Sequence, residues 1–290
     1  HFTMLAAAWY GRKRGIPYYL MSEVYLRQPR SRWKTVVKAP FLRLLLKHSA
    51  GGLPTGTLAK EYLLHYGLQE DRLCFVPNAP DIDSLRKLAE PFWAKSKVEI
   101  RRSLGLRTEP LVLFVGRLLA LKNVDKLIAA FKKISDAYAS QLVIIGSGPE
   151  ESHLREMAIR TRVSERIHFR GFVSPRDLHQ WYSAADVFVL PSSDETWGVV
   201  VLEALACGCP VVVSDMVGSG PDVINHVEVG SIVPVNDINS LAEAITRYLT
   251  SRPTPQQIAK LWNPIAERMR HQTVARRLIE FLNKTATSLT

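Results

Sequence analysis

Arg117 and Lys122 stand five residues apart, directly after an apolar run at residues 111–115. A guanidinium fork and a compact ammonium at one strand end suit a diphosphate. A second apolar run, residues 142–145, leads into Gly146-Ser147-Gly148, a tight turn where backbone can approach a ligand closely. A third run, residues 167–169, leads into Arg170-Gly171-Phe172, and a fourth, residues 187–190, into Pro191-Ser192-Ser193-Asp194-Glu195-Thr196-Trp197-Gly198. The stretch that follows, GVVVLEALAC from Gly198 to Cys207, has Glu203 as its only charged residue. A carboxylate in so apolar a helix is costly unless it is paired or hydrogen-bonded. It lies early in the helix, where the N-terminus favours an anion. Two readings stand: a Glu bonded to the amides of a neighbouring loop, or a Glu presented to ligand hydroxyls. Glu195 precedes Glu203 by eight residues, a spacing that is weak on its own.

These residues need a scaffold that gathers strand ends. From residue 111 onward, short apolar β-rich runs (111–115, 142–145, 167–169, 187–190, 211–213, 231–234) alternate with helical stretches (124–138, from 150, 175–185, 199–207, 221–225, 238–249). Runs that are apolar throughout point to a parallel sheet covered on both faces. The expected fold is α/β, with a doubly wound, Rossmann-like domain over residues 108–250. In such sheets ligands bind at the carboxyl ends of the strands, where the residues above lie. Residues 1–90 read as part of a second Rossmann-like unit. Strands are expected at 17–20 and 73–76, with helices at 32–47 and 57–66; the front of that unit is expected to lie outside this chain, which starts at His1. Residues 91–107, with a helix over 92–104, are expected to connect the two. Residues 251–290 are expected to supply C-terminal helices, bent near Pro264 and packing back toward the N-terminal unit.

The chain has 290 residues, long for one core, and its 47% apolar and 22% charged residues exclude a disordered or fibrous chain. Residues 1–50 hold ten Lys or Arg against Glu23 alone, so +9 of the net +11 is local. Such a patch suits nucleic acid, an anionic membrane surface or a phosphorylated ligand, or is a solvated face. Cys74, Cys207 and Cys209 support neither a disulfide framework nor a zinc site, which fits a reducing, cytoplasmic compartment. No run reaches the roughly 18–20 apolar residues needed to cross a bilayer; residues 199–213 come nearest but contain Glu203 and Pro210. No signal peptide is evident, because the basic cluster Arg12-Lys13-Arg14 follows the apolar start instead of preceding it.

The ordered series Val115-Gly116-Arg117-Leu118 with Lys122, Ile145-Gly146-Ser147-Gly148-Pro149-Glu150, Arg170-Gly171-Phe172, Ala185-Asp186 through Ser192, Glu195-Thr196-Trp197-Gly198, Glu203-Ala204, Gly208-Cys209-Pro210 and Ser214-Asp215 resembles the retaining glycosyltransferases of family 4 (group 1), which have the GT-B fold. Glu195 and Glu203 look like that family's E-x7-E signature. Tyr62 with Gly67, and Val76-Pro77-Asn78 with Asp81, resemble the end of its N-terminal domain. The resemblance implies transfer of a sugar from a UDP- or GDP-sugar to a glycan or lipid-linked acceptor, as in cell-surface polysaccharide biosynthesis. Arg117 and Lys122 would neutralise the pyrophosphate as it leaves, without a metal or other cofactor. Glu203 would bind the ribose hydroxyls. Glu195, with Thr196 and the backbone of Trp197, Gly198 and Val199, would hold the sugar. Gly171, Phe172 and Val173 would contact the base, while Gly116, Gly146 and Gly148 complete the donor site. Trp197 stands where Phe is common, and Asn123 where Gly is common after the lysine. Neither an acceptor residue nor a general base is assigned.

Other readings fit less of the chain. A nicotinamide fingerprint would have to begin at Gly146, but Glu151 occupies its third glycine and the loop follows the second strand of the domain. Asp81-Ile82-Asp83 looks like a metal-binding pair, yet it follows Pro77-Asn78 in the interdomain region, and a hard-cation site needs several converging oxygens. A nucleic-acid partner is not expected, because the basic patch lacks aromatics at a module spacing. Residues 32–48 mix Arg32, Lys34, Lys38, Arg43, Lys47 and His48 with large apolar residues, which suits peripheral contact with the inner face of a membrane better. A fragment that binds a sugar nucleotide without transferring it is the remaining alternative.

Overall fold

In the computed structural model the described residues are 2–27 and 32–287. Side chains at residues 32–35 lie outside the description, so the expected roles of Arg32 and Lys34 do too, as does Arg30. The chain forms two compact units. One comprises residues 1–78 with 268–290, the other residues 79–267.

The smaller unit has two parallel strands, β1 (Tyr19–Ser22) and β2 (Gly51–Pro54), paired from Tyr19 opposite Gly51. Helix α1 (Phe2–Arg14) precedes them, α2 (Arg32–His48) connects them, and α3 (Thr57–His65) follows. Leu20, Leu42, Leu46, Tyr62, Leu63, Tyr66 and Leu68 form its core. Helix α2 runs through Pro40 without a break. The sequence signals missed β2, because glycine and proline are depleted in strands. Glycine is needed there: a Cβ at Gly52 would lie 2.5 Å from Leu68, and one at Gly51 would lie 2.7 Å from the Arg72 carbonyl. Residues 73–76, expected as a strand, instead run as an extended segment beside β2. Cys74 N–H donates to the Gly52 carbonyl at 3.0 Å and Val76 N–H to Pro54 at 2.9 Å.

Helices α4 (Ile82–Trp93) and α5 (Lys97–Ser103) belong to the larger unit. The division therefore falls at residue 78, not 90, and residues 91–107 are no free connection. The expected single helix at 92–104 splits because Ser96 starts a new one: its side chain accepts from Glu99 N–H while the Glu99 carboxylate accepts from Ser96. Asp81 caps α4, accepting from the Ser84 backbone at 3.0 Å and its hydroxyl at 2.7 Å.

Six parallel strands form the sheet of this unit: β3 (Leu111–Val115), β4 (Gln141–Ile145), β5 (Ile167–Gly171), β6 (Val187–Leu190), β7 (Val211–Ser214) and β8 (Gly230–Val233). Helices α6 (Val124–Ala137), α7 (Glu151–Arg160), α8 (Leu178–Ala184), α9 (Val199–Ala206), α10 (Gly220–Val223) and α11 (Ile238–Ser251) alternate with them. Every residue of β3, β4, β6 and β7 is buried, which is why these strands read as unbroken apolar runs. The strand order is β5-β4-β3-β6-β7-β8. Chain order therefore reverses between β3 and β6, which opens a crevice at their carboxyl ends. Beneath it, Asp186 accepts the Leu111 N–H at 2.7 Å and pairs with the buried Arg101, and Lys97 approaches to 3.5 Å.

The chain ends in α12 (Pro255–Met269) and α13 (His271–Thr287). The break comes at Arg270 and not at Pro264, which α12 contains. Within the smaller unit, α13 packs Phe281 edge-on to Tyr19 with ring centroids 5.8 Å apart.

Candidate functional site

The loop after β3 carries both cations. Arg117 is exposed and, among the described residues, its side chain has no hydrogen-bond or ion-pair partner. Leu118, between the two cations, is fully buried, and its N–H donates to the Ser147 carbonyl at 2.9 Å. Lys122 closes a short 3-10 turn and pairs with the Glu195 carboxylate from the loop after β6. The sequence reading assigned those two side chains to different parts of a ligand; here they hold the β3 and β6 loops together across the switch point. Asn123 takes a left-handed conformation (φ 52°), which Asn tolerates, so its place in a glycine position carries little strain. Its amide also donates to the Pro191 carbonyl at 3.0 Å, a contact glycine could not make.

The glycines keep backbones close. Gly146 N–H donates to Gly171 at 2.7 Å, and Gly116 N–H to Ile145 at 3.0 Å. Gly146 has φ 132°, and a Cβ there would lie 1.9 Å from the Gly116 carbonyl. A Cβ at Gly148 would lie 2.3 Å from the Leu118 carbonyl. The loops after β3, β4 and β5 are thus stacked backbone on backbone at one edge of the crevice. Gly171 has φ 63° and open space around it, Phe172 beyond it is 78% exposed, and Val173 is half-buried.

On the other edge, Gly198 (φ 90°) turns the chain into α9, and a Cβ on it would touch the Glu195 Cγ at 3.3 Å. Among the described residues the N–H groups of Gly198 and Val199 make no hydrogen bond, so the α9 N-terminus presents unmet donors at the strand ends. The Trp197 side chain is buried, and its carbonyl accepts from Ser219 at 2.9 Å; that carbonyl and the indole support the loop. Thr196 is backed by Gly218, where a Cβ would lie 2.0 Å from the Thr196 carbonyl. No local pattern flagged Gly218.

Glu203 finds a partner that the sequence did not suggest. Tyr182, on α8, donates its hydroxyl to Glu203 Oε2 at 2.9 Å. Among the described residues Oε1 has no partner, so the carboxylate is half satisfied and half available. Burial pushes the Glu203 carboxyl above its ordinary range, and the Tyr182 bond opposes that. Burial, the Glu203 charge and their shared hydrogen bond drive the Tyr182 hydroxyl well above its usual value. A raised folded pKa means that the native state binds more protons than the unfolded chain between the two pKa values. Stability from Glu203 is therefore complete below the unfolded value of about 4.3 and is lost as pH rises through the folded one. Glu203→Gln should flatten that fall in urea melts across the series. Tyr182→Phe should steepen it and cost about 1–3 kcal/mol, because it strands a buried acceptor.

Residues 96–261 match the family model for glycosyl transferases group 1. The chain belongs to this family. An uncharacterized glycosyltransferase of Methanocaldococcus jannaschii is 39% identical over 54% of this chain and 40% of its own length. The D-inositol 3-phosphate glycosyltransferase of Xylanimonas cellulosilytica is 33% identical over 66% of this chain and 46% of its own. The chain thus spans about half the length of the curated relatives it matches. Among solved structures, sucrose-phosphate synthase from Thermosynechococcus elongatus superposes with a TM-score of 0.74 at 24% identity, covering 97% of this chain and 72% of that one. HepE of Anabaena, solved in complex with UDP, gives 0.77 at 19% identity over 96% of this chain and 75% of that one. The fold of this group 1 member is α/β and GT-B-like. The family match spans the whole crevice, from α5 to the middle of α12. No helix of the described residues is long and apolar enough to cross a membrane.

Proposed function

We propose that this protein is a retaining glycosyltransferase of family 4. It would move a sugar from a UDP- or GDP-sugar to a glycan or lipid-linked acceptor in cell-surface polysaccharide assembly. One observation supports the reading: the loops after β3 and β6 flank the switch point, the first carrying Arg117 and Lys122 and the second leading into the N-terminus of α9, whose fifth residue is Glu203. Positive charge for a departing diphosphate comes from Arg117, Lys122 and the α9 amides, of which Lys122 and the amides are held in place before reaction. Glu203 Oε1 takes a ribose hydroxyl. Gly171, Phe172 and Val173 meet the base, and Gly116, Gly146 and Gly148 let the chain approach the phosphates. Glu195, with Thr196, Gly198 and Val199, faces the sugar, and its bond to Lys122 links sugar recognition to the leaving group.

Turnover against a panel of nucleotide sugars and lipid-linked acceptors tests the reading. Glu195→Gln should leave bare nucleoside-diphosphate affinity within about threefold and lower turnover by about 10²-fold or more, as expected for an interaction made chiefly to the reacting sugar. Equal loss of bare nucleotide in Glu195→Gln and Glu203→Gln would overturn this division of roles.

The smaller unit supports a place of action. Trp9, Tyr10, Val36, Val37, Phe41 and Leu44 are exposed on α1 and α2, beside Lys13, Arg14, Lys38 and Arg43. Apolar side chains with flanking cations fit a cytoplasmic protein held peripherally on an anionic inner-membrane surface. Vesicle co-sedimentation should rise with anionic lipid and fall with salt. Indifference to both would leave the cations as a solvated face.

A further inference from the structure

We propose that the smaller unit carries a phosphate-binding pocket at the amino ends of β1 and β2, built from Arg43, Lys47, His65 and Arg72. These side chains, with Tyr66 and Gln69, line one concavity of about 400 Å³. Three separate segments contribute: α2 supplies Arg43 and Lys47, the end of α3 supplies His65, and the turn before the extended segment supplies Arg72. Among the described residues no acidic side chain lines it. Glu70, the acid nearest in sequence to Gln69, is drawn off by Lys60. Among the described residues the side chains of Arg43 and Lys47 have no hydrogen-bond or ion-pair partner.

Its place in the unit excludes the usual ligand face of an open α/β sheet. Arg72 donates to the carbonyl of Ser49, which lies two residues before β2, and Ala50 N–H donates to Tyr18, just before β1, at 2.8 Å. Ligands of such sheets bind at the carboxyl ends, here Ser22 and Pro54. The residues are also none of those assigned to the donor.

Helix dipoles account for only part of the cluster. Cations are favoured at a helix C-terminus, and Lys47 and His65 sit in the last turns of α2 and α3. Arg72 lies outside both helices but donates to the Ser49 carbonyl at the end of α2, while Arg43 lies before the last turn of α2, so the dipoles leave Arg43 unexplained. Nearby charge is felt locally: desolvation, then Arg12 and Lys47, hold the His48 imidazole below its ordinary value. Like charges sharing one concavity repel, and a phosphate with its charge of about −1.5 to −2 relieves that while accepting several hydrogen bonds. Arg43 and Lys47, at i and i+4, present a fork and a point charge from one helix face. The phosphate can be soluble or carried on a lipid headgroup; Phe41 and Leu44, exposed on α2, border the cations in sequence.

Two probes tell these sources apart. Inorganic phosphate is titrated by phosphorus NMR into the full chain, with every variant in an Arg117→Ala background to reduce binding at the β3 loop. Vesicles of phosphatidylglycerol in phosphatidylcholine are floated with the same proteins. R43Q/K47Q removes two exposed pocket charges, and K13Q/R14Q removes two charges from the exposed end of α1 in the same unit. R43Q/K47Q should lose phosphate affinity by at least about tenfold, K13Q/R14Q should lose little, and the charge-swapped R43K/K47R should recover most of it. Vesicle binding lost selectively with R43Q/K47Q assigns the phosphate to a headgroup; equal vesicle binding in both variants, with phosphate binding still lost in one, assigns it to a soluble ligand. Equal phosphate affinity in R43Q/K47Q and K13Q/R14Q overturns the pocket. Nucleoside-diphosphate affinity of R43Q/K47Q with Arg117 intact should be unchanged, so failure here is distinct from failure of the donor site.

Discussion

Alanine at both Arg117 and Lys122 should cut nucleoside-diphosphate affinity by about 10²–10⁴-fold, from about 1.5–3 kcal/mol for each charge-assisted contact. Nucleoside affinity should change much less. The single variants should differ in a second readout. The Arg117 side chain is exposed with no partner among the described residues, so Arg117→Ala should leave thermal stability unchanged. Lys122 and Glu195 are 16% and 18% exposed, so Lys122→Ala strands a mostly covered carboxylate and should cost stability as well as affinity. Lys122→Arg should restore much of both. Equal losses for nucleoside and nucleotide would point to a damaged fold and contradict the assignment.

Asp186→Ala should give the largest loss of stability, about 3–5 kcal/mol in the unfolding of the larger unit, because it leaves Arg101 buried without its counter-charge. Asp186 and Arg101 are each 3% exposed. Arg101 also donates from Nε to the Ala184 carbonyl at 3.0 Å and from Nη1 to Thr108 at 3.1 Å. The Asp186 carboxylate further satisfies the first N–H of β3. The network ties α5, the end of α8 and the starts of β3 and β6 together, on the far side of the sheet from the crevice. Arg101→Met with Asp186→Ala should therefore be less harmful than Asp186→Ala alone in urea denaturation. A double variant as unstable as the sum of the singles would show that the pair is not coupled.

The larger unit was legible because its strands are buried on both faces. Runs such as Leu111–Val115 and Val187–Leu190 announce themselves, and the residue after each is a candidate by position alone. Strand β2 was hidden because Gly51 and Gly52 answer a packing constraint and not a strand propensity. Helix α4 contains Pro91 and was not expected: residues 82–90 were assigned to the N-terminal unit with no helix there, although the Asp81 cap and the apolar Ile82 and Ala89 were signals. At the site, the glycines and cations could be named one by one. Which of them touch could not: the Lys122–Glu195 pair and the Tyr182–Glu203 bond each join segments many residues apart, and such pairs are set by strand order. Asn123 looked like a departure and is a compatible choice, since αL backbone accepts Asn.

The central claim is that the crevice between the β3 and β6 loops recognises a nucleoside diphosphate through charge placed at strand ends. Titration calorimetry of the full chain with UDP, GDP, uridine and guanosine tests it most directly. The account predicts that at least one diphosphate binds about 10-fold or more tighter than its own nucleoside, the difference shrinking as salt rises. Binding of neither diphosphate at millimolar ligand, or equal affinity for diphosphate and nucleoside, would contradict it.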